Sequence, residues 1–266
     1  MKHVRSTSLL AAIAICCALA GGARAQDPGA EAFEKEVDRR LEVPLQEQAA
    51  YAKRLQVALV HSGVVDPRPQ YFLLVDRSRY VQAIFIYWRS ADAAWQFIGA
   101  SPVSTGLPGE FEHFLTPLGA HEHSLATPDF RAEGTRNDQG ILGYGRKGMR
   151  VYDFGWVRAR RTWGEREPGV MRLQLHATDP QYLEPLLGSR HSEGCIRIAA
   201  TLNSFIDRHG LLDADYDAAL EAGEHLWVLR ADREPTATPG RWLVVVESKR
   251  THRPAWSPAP KRPARR

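Results

Sequence analysis

Residues 171–176 read Met-Arg-Leu-Gln-Leu-His, and residues 192–198 read Ser-Glu-Gly-Cys-Ile-Arg-Ile. The first stretch ends an apolar run that is typical of a strand, and the second precedes a helical pattern. Cys195 therefore follows a glycine at a strand-to-helix transition, where Gly194 permits a tight turn that aims the thiol outward. Such a position suits a nucleophile.

The Cys195 thiol needs a partner before it can react. A free thiol has a pKa of about 8.5 and is mostly protonated at neutral pH, so a base or a positive charge must favour the thiolate. His176 lies 19 positions upstream and reaches Cys195 if the strand and the turn fold back on each other. The backbone N–H groups of Gly194 and Cys195 are predicted to form an oxyanion hole.

Residues 199–209 predict a helix that follows the nucleophile. Leu202, Phe205 and Ile206 recur on one face of it. Its positive N-terminal end is expected to favour the thiolate of Cys195.

This pattern resembles the signature of the L,D-transpeptidases of the YkuD type, which cross-link or remodel bacterial peptidoglycan. In that family a strand-terminal His is followed, after a gap, by Ser-His-Gly-Cys, a hydrophobic residue and Arg or Asn. The chain matches with His176, Ser192, Gly194, Cys195, Ile196 and Arg197, and it departs with Glu193 where the family has His. Looser similarity lies in Val-Ser-Thr-Gly at 103–106 and Thr-Pro-Leu-Gly at 116–119. The resemblance covers roughly residues 70–230.

The resemblance implies a mainly β fold, a YkuD-like β-sandwich with a few helices. It also implies acyl transfer between peptidoglycan stem peptides without a cofactor: cleavage after an L-centre, a thioester on Cys195, and diaminopimelate as the acceptor. His176 would be the base. Arg197, Ser192 and His191 are the candidate substrate-binding residues.

Three neighbours of the predicted nucleophile have a second interpretation. The guanidinium of Arg197 suits a stem carboxylate, or it holds the loop through a structural pair. His191 replaces the missing histidine or is a solvated loop residue. Glu193 raises the pKa of the thiol or recognises a cationic substrate group.

A third group is expected to orient His176. The backbone carbonyl of Ala177 is one candidate for holding the imidazole tautomer, and the carboxylate of Asp179 is a weaker one.

Residues 1–25 are typical of a cleaved secretory signal peptide. Lys2 and Arg5 precede the apolar run 9–20, and Ala-Arg-Ala at 23–25 suits cleavage. A lipoprotein site at Cys16 is the alternative, but Ile15 precedes it where a small residue is expected. Cleavage leaves Cys195 as a lone thiol, and the expected location is the periplasm.

Charge is distributed unevenly along the chain. Without the predicted signal peptide and the residues from 249 onward, the body has 25 basic and 31 acidic residues, so a nucleic-acid partner is not expected. Residues 249–266 are basic and Pro-rich and predict a disordered tail. This tail either contacts an anionic wall polymer or lipid headgroups, or is inert.

Residues 26–66 predict a short helical N-terminal segment, divided into two helices by Pro44. Residues 67–248 predict the catalytic domain. Its predicted strands are 71–75, 83–87, 95–98, 149–157, 170–176, 226–229 and 242–246. No segment of the chain has the length of about 20 apolar residues that a transmembrane helix needs.

The polar segment 109–147 is interpreted as a substrate loop over the β scaffold. It holds His113, His121 and His123, and a metal site is one interpretation of them. Because no cysteine or acidic motif at ligand spacing completes such a site, surface histidines are the preferred interpretation. Tyr144, Tyr152 and Trp156 are aromatic candidates for lining the groove.

Two other functions remain open from the sequence. The same acyl-enzyme with water as acceptor gives a carboxypeptidase or an amidase. A catalytically silent wall-binding module is the other possibility, and it predicts an unreactive Cys195.

Overall fold

A computed structural model describes residues 29–165, 167–257 and 260. The predicted signal peptide therefore lies outside the described residues. The described helices are α1 (Gly29–Glu36), α2 (Leu45–His61), α3 (Ala200–His209) and α4 (Ala214–Glu221), with a 3₁₀ turn at Glu184–Leu186. The described strands are β1 (Gln70–Asp76), β2 (Ala83–Arg89), β3 (Trp95–Pro102), β4 (Phe114–Leu115), β5 (Gly119–Glu122), β6 (Phe130–Arg131), β7 (Arg150–Arg161), β8 (Pro168–Ala177), β9 (Ile196–Ile198) and β10 (Trp242–Val246).

The strands form two mixed sheets. One has the order β3-β2-β1-β10-β5, and the other has the order β4-β7-β8-β9 with β6 also paired to β7. The β1–β10 and β8–β9 pairs are parallel, and the remaining pairs are antiparallel. The prediction of a mainly β fold with few helices and a short N-terminal helical segment is confirmed.

The main core lies between the two sheets. Successive residues of a strand point to opposite faces, so β1 sends Leu73 and Val75 into this core and Phe72 and Leu74 to the outer face. The facing sheet contributes apolar residues of β7, β8 and β9, and α3 closes one end with Leu202, Phe205 and Ile206, as predicted. The site described below is built on the opposite face of β8 and β9.

The outer face of the first sheet is covered by α2. Tyr51, Leu55 and Leu59 pack on this face, whereas Leu45 at the start of α2 is exposed. The division near Pro44 is confirmed, but α1 ends at Glu36 and residues 37–44 form no regular secondary structure. The N-terminal helices are thus part of the packed fold.

Six of the seven predicted strands are confirmed as β1, β2, β3, β7, β8 and β10. The seventh, residues 226–229, is wrong because these residues lie in a turn. Val228 is nevertheless buried, and its carbonyl accepts a hydrogen bond from the Arg131 guanidinium. Burial of an apolar side chain in a turn produced the strand-like pattern.

Within the residues that the structure describes, none of the helices combines the length and the hydrophobicity of a membrane-spanning segment.

The prediction of a disordered tail from residue 249 is wrong for residues 249–257. Trp256 packs edge-on against Tyr51 and Phe85, with ring centroids 6.0 and 5.8 Å apart. Arg253 donates to the carbonyl of Gly188 at 2.9 Å, and Ser257 Oγ donates to the carbonyl of Val81 at 2.6 Å. One buried tryptophan outweighs the disorder-promoting composition around it.

Replacing Trp256 by alanine is expected to lower the free energy of unfolding by about 3–5 kcal/mol, because a large buried ring leaves a cavity over α2. Trp156→Ala is the matched control, since Trp156 is 70% exposed, and it should change stability by less than about 0.5 kcal/mol. Urea denaturation measures both. Equal effects of the two substitutions would contradict the packing of residues 249–257.

Candidate active site

The parallel pairing of β8 and β9 brings the two predicted catalytic residues together. His176 pairs with Arg197 and Leu175 with Ile196, so Cys195, one step before β9, lies opposite Gln174. Leu175 and Ile196 point into the core. Because side chains alternate along a strand, Gln174 and His176 share the other face of the sheet with the residues that flank Ile196.

The turn that carries the nucleophile is held by Ser192 and Gly194. Gly194 has φ +138°, in the region that favours glycine, as the predicted tight turn requires. Its N–H donates to Ser192 Oγ at 3.2 Å, and that hydroxyl donates to the carbonyl of Cys195 at 2.6 Å. Ser192, predicted to bind substrate, is buried beneath the turn, where it fixes the Cys195 backbone.

Both segments of looser family similarity frame this turn. Ser104 is bridged to Arg197, and Gly106 to Ser192. The hydroxyl of Thr116 accepts from the Gly106 N–H at 3.0 Å and donates to the carbonyl of Gly194 at 2.7 Å. The nucleophile turn is therefore braced from two separate parts of the chain.

The imidazole of His176 has a defined tautomer. Its Nδ1 lies 2.6 Å from the carbonyl oxygen of Ala177, and because a carbonyl only accepts, Nδ1 carries the proton. Nε2 is then the free lone pair. Asp179, the weaker sequence candidate for this orienting role, instead accepts the N–H groups of Leu142, Gln181 and Tyr182.

Burial keeps both Cys195 and His176 neutral. It raises the pKa of the thiol to about 11 and lowers the pKa of His176 to about 4. Both shifts arise because a charged group loses solvation when it is buried. The resting site at neutral pH therefore holds a neutral thiol and, on the adjacent strand, a neutral imidazole that is able to accept a proton.

Two charged neighbours act on the thiol in opposite directions. Arg197 lowers the pKa of Cys195 and Glu193 raises it, the latter as anticipated for a nearby carboxylate. Arg197 also lowers the pKa of His176, and it donates to the carbonyl of His191. Its buried Nε has no hydrogen-bond partner within the described part of the chain. His191 itself is exposed at the rim of the site.

The structure differs from the predictions of an oxyanion hole and of a helix N-terminus that favours the thiolate. The Gly194 N–H is already bound to Ser192, whereas the Cys195 N–H meets no acceptor among the described residues. The prediction that the helix N-terminus favours the thiolate is not supported. The three residues of β9 separate Cys195 from α3, and the first N–H of α3, that of Ala200, is bonded to Glu184 Oε1 at 2.8 Å.

Tyr144 is the one aromatic candidate that contacts the predicted base. Its ring packs against the His176 ring with centroids 4.8 Å apart, and its hydroxyl donates to Gln174 Oε1 at 3.0 Å. Tyr152 is instead fully buried, and Trp156 is exposed on β7. The segment that carries Tyr144 therefore covers one side of His176.

The interpretation of three surface histidines in segment 109–147 is wrong for His123, which is fully buried. Its Nδ1 lies 2.8 Å from the carbonyl of Leu212 and its Nε2 2.9 Å from Asp129 Oδ1. Burial lowers the pKa of His123, but the Asp129 carboxylate outweighs it and the net pKa is raised. His123 therefore forms an internal ion pair.

Sequence reasoning missed three polar residues beside the site: Arg172, Asp153 and the buried Gln174. The carboxylate of Asp153 is fully buried and accepts from Arg172 Nε at 2.6 Å and from Gln174 Nε2 at 2.8 Å. A polar residue at every second position of β8 was the available pattern, since residues 172, 174 and 176 share one face.

Alkylation of Cys195 by iodoacetamide is expected to rise with pH with a midpoint near pH 11, because burial raises the thiol pKa. Glu193→Gln should lower the midpoint and Arg197→Gln should raise it, each by removing one neighbouring charge. Glu224→Gln, at an exposed turn, should leave it unchanged. A wild-type midpoint below about pH 8 would contradict the neutral resting site.

No protein-family model matches the chain, and a search of curated proteins finds no match. Among solved structures, the chain is similar to a mutant form of the helical cell shape determining protein Pgp2 from Campylobacter jejuni, at 15% identity and a TM-score of 0.27. The unmutated Pgp2 gives 15% identity and a TM-score of 0.28. The matches cover 71% and 76% of this chain but only 51% and 58% of the Pgp2 chains. A likeness this low leaves function to be inferred from the residues of the site.

Proposed function

We propose that the protein is a peptidoglycan L,D-transpeptidase that works through a thioester on Cys195. The observation that carries this proposal is the pairing of β8 with β9, which brings a neutral His176, whose Nε2 carries the lone pair, and the thiol of Cys195 onto adjacent strands. A nucleophile, a base and a group that orients the base are the parts that acyl transfer needs.

In the proposed acylation step, His176 Nε2 takes the proton of Cys195 as Sγ attacks the amide carbonyl carbon of a donor stem. The Cys195 N–H stabilises the resulting oxyanion. His176 then returns the proton to the leaving nitrogen, the C–N bond breaks, and a thioester remains.

In the proposed transfer step, the amine of a second stem attacks the thioester carbon. Its proton passes to His176, and Sγ leaves and regains that proton. A new amide bond forms and the enzyme returns to its resting state. The carboxylate nearest the scissile bond is assigned to Arg197, whose buried Nε lacks a partner among the described residues. Peptidoglycan as substrate implies an exported enzyme, and a periplasmic location is part of the proposal.

The test is mass spectrometry of purified muropeptides incubated with the mature protein, with Cys195→Ala as the matched control. New dimers that the variant does not form would support transpeptidation, and the position of the new bond identifies the cross-link. Shortened monomers would instead indicate a hydrolase that uses water as acceptor. No product from any donor, together with a thiol that resists alkylation even at pH 11, would overturn the enzyme in favour of a wall-binding module.

A further inference from the structure

Arg172, whose backbone contacts the nucleophile, has a guanidinium that the proposed mechanism does not use. The carbonyl oxygen of Arg172 accepts from Cys195 Sγ at 3.6 Å, so this residue is adjacent to the reacting sulfur. Its side chain is 45% exposed. Among the described residues, the two terminal nitrogens of Arg172 make no hydrogen bond, and they remain available to a ligand.

The orientation of Arg172 is fixed from below by Asp153. The Asp153 carboxylate accepts from Arg172 Nε at 2.6 Å, from Gln174 Nε2 at 2.8 Å and, through Oδ1, from the Gly155 N–H at 2.8 Å. Asp153 is fully buried, and it contacts only Nε of the Arg172 guanidinium. A guanidinium held in this way presents its terminal nitrogens, Nη1 and Nη2, in a fixed orientation. Two parallel N–H donors of this kind match the geometry of a carboxylate.

The two site arginines lie on opposite sides of Cys195 along the strand direction. Arg197 pairs with His176, Cys195 is opposite Gln174, and Arg172 lies two residues before Gln174. At about 3.3 Å per residue, the backbone positions of Arg172 and His176 are about 13 Å apart. Along the strand direction, Cys195 thus lies between the backbone positions of the two arginines.

We propose that Arg172, positioned by Asp153, is a second carboxylate-binding residue of the site, on the side of Cys195 opposite Arg197. This rests on the proposed function. It narrows the substrate to peptides that carry a carboxylate on each side of the scissile bond: one on the leaving group, bound by Arg197, and one on the acyl part, bound by Arg172. Asp153 is a positioning residue in this arrangement.

The geometry of the Arg172–Asp153 pair favours ligand binding over a purely structural role. A pair that serves only to neutralise Asp153 gains most from a bidentate contact, whereas here a single nitrogen is used and the Arg172 side chain is 45% exposed. The buried carboxylate is also satisfied by Gln174 and Gly155.

The charge selectivity of Cys195 alkylation tests this assignment. The ratio of the iodoacetate rate to the iodoacetamide rate cancels any change in thiol pKa, since both reagents need the same thiolate. Arg172→Gln is expected to lower this ratio about threefold to tenfold, because a cation on the same face of the sheet as the nucleophile turn attracts the anionic reagent. Arg158→Gln, at an exposed position on β7, is the control and should leave the ratio unchanged.

A second variant separates binding from folding. Arg172→Gln leaves Asp153 buried without its cation, so Arg172→Gln combined with Asp153→Asn removes both charges, and it should show the same loss of selectivity. Arg172→Lys keeps the charge without the fixed fork and should restore part of the ratio. A ratio within twofold of wild type in both glutamine variants would overturn the assignment.

Donor peptides then test the substrate class. Amidation of the acyl-side carboxylate should lower kcat/KM of the wild-type enzyme but should leave kcat/KM of Arg172→Gln unchanged. An equal loss of kcat/KM in both would overturn the assignment of this carboxylate to Arg172. If no donor reacts with any variant, the proposed function fails, and the alkylation ratio still decides whether Arg172 binds anions beside Cys195.

Discussion

Replacing His176 by asparagine is expected to lower the rate of Cys195 acylation at pH 7 by a factor of about 10² to 10⁴, the usual contribution of a general base. Burial raises the pKa of the thiol to about 11, so almost no thiolate exists at neutral pH without a proton acceptor. His176 Nε2 is the lone pair that accepts this proton, because Nδ1 is engaged with Ala177. Asparagine fills a similar space but cannot take the proton.

The pH profile distinguishes a lost base from a disturbed fold. The pKa of His176 is lowered to about 4, so its charged form appears only as the pH falls towards 4, and wild-type acylation should decline only there. The His176→Asn rate should instead rise about tenfold per pH unit up to the thiol pKa, narrowing the gap in alkali. His225→Asn, at an exposed position, is the control. A wild-type rate in His176→Asn at pH 7 would contradict the assignment of the base.

Replacing Arg150 by methionine is expected to lower the free energy of unfolding by about 3–5 kcal/mol, the effect of removing one partner from a buried ion pair. Arg150 is fully buried, with Nε 2.7 Å from Asp129 and Nη2 2.8 Å from Asp213. Its Nη1 lies 3.4 Å from Asp207 on α3. Methionine would leave these carboxylates without their shared cation.

Arg150 is also connected to the candidate active site, through its own strand β7. The residue after Arg150, Val151, pairs with His176, and the Arg150 backbone N–H is bonded to Asn203 of α3 at 3.2 Å. Urea denaturation measures the loss, with Arg158→Met on the exposed face of the same strand as control. A difference between the two variants below about 1 kcal/mol would mean that the buried charges are not coupled through Arg150.

The sequence predicted the strands well because their apolar residues are continuous or alternate, and this pattern does not depend on distant contacts. It also indicated Cys195 and His176 as the candidate catalytic pair, since a glycine before a lone thiol and a histidine at a strand end are local features. The pairing of β8 with β9 that brings them together is a long-range contact, and residue spacing alone does not fix its register.

The burial of charged side chains is the main feature that the sequence did not predict. Arg150 and Asp153 lie within a run predicted as a strand, and a charged residue there is normally assigned to the solvent face. Only their partners make burial possible, and those partners come from other elements, such as Asp129 and Asp213 for Arg150. Trp256 was missed for the opposite reason, because the basic and Pro-rich residues around it dominated the prediction of disorder.

Intact-protein mass spectrometry during turnover tests the central claim most directly, because a thioester adds the mass of the acyl donor to the enzyme. Incubation with a stem-peptide donor, quenched in acid, is expected to show wild-type protein heavier by the donor minus its leaving group. Peptide mapping should place this addition on Cys195, and Cys195→Ala should remain unmodified. Products formed with no adduct on Cys195 in wild type, and equally by Cys195→Ala, would contradict acyl transfer through this thiol.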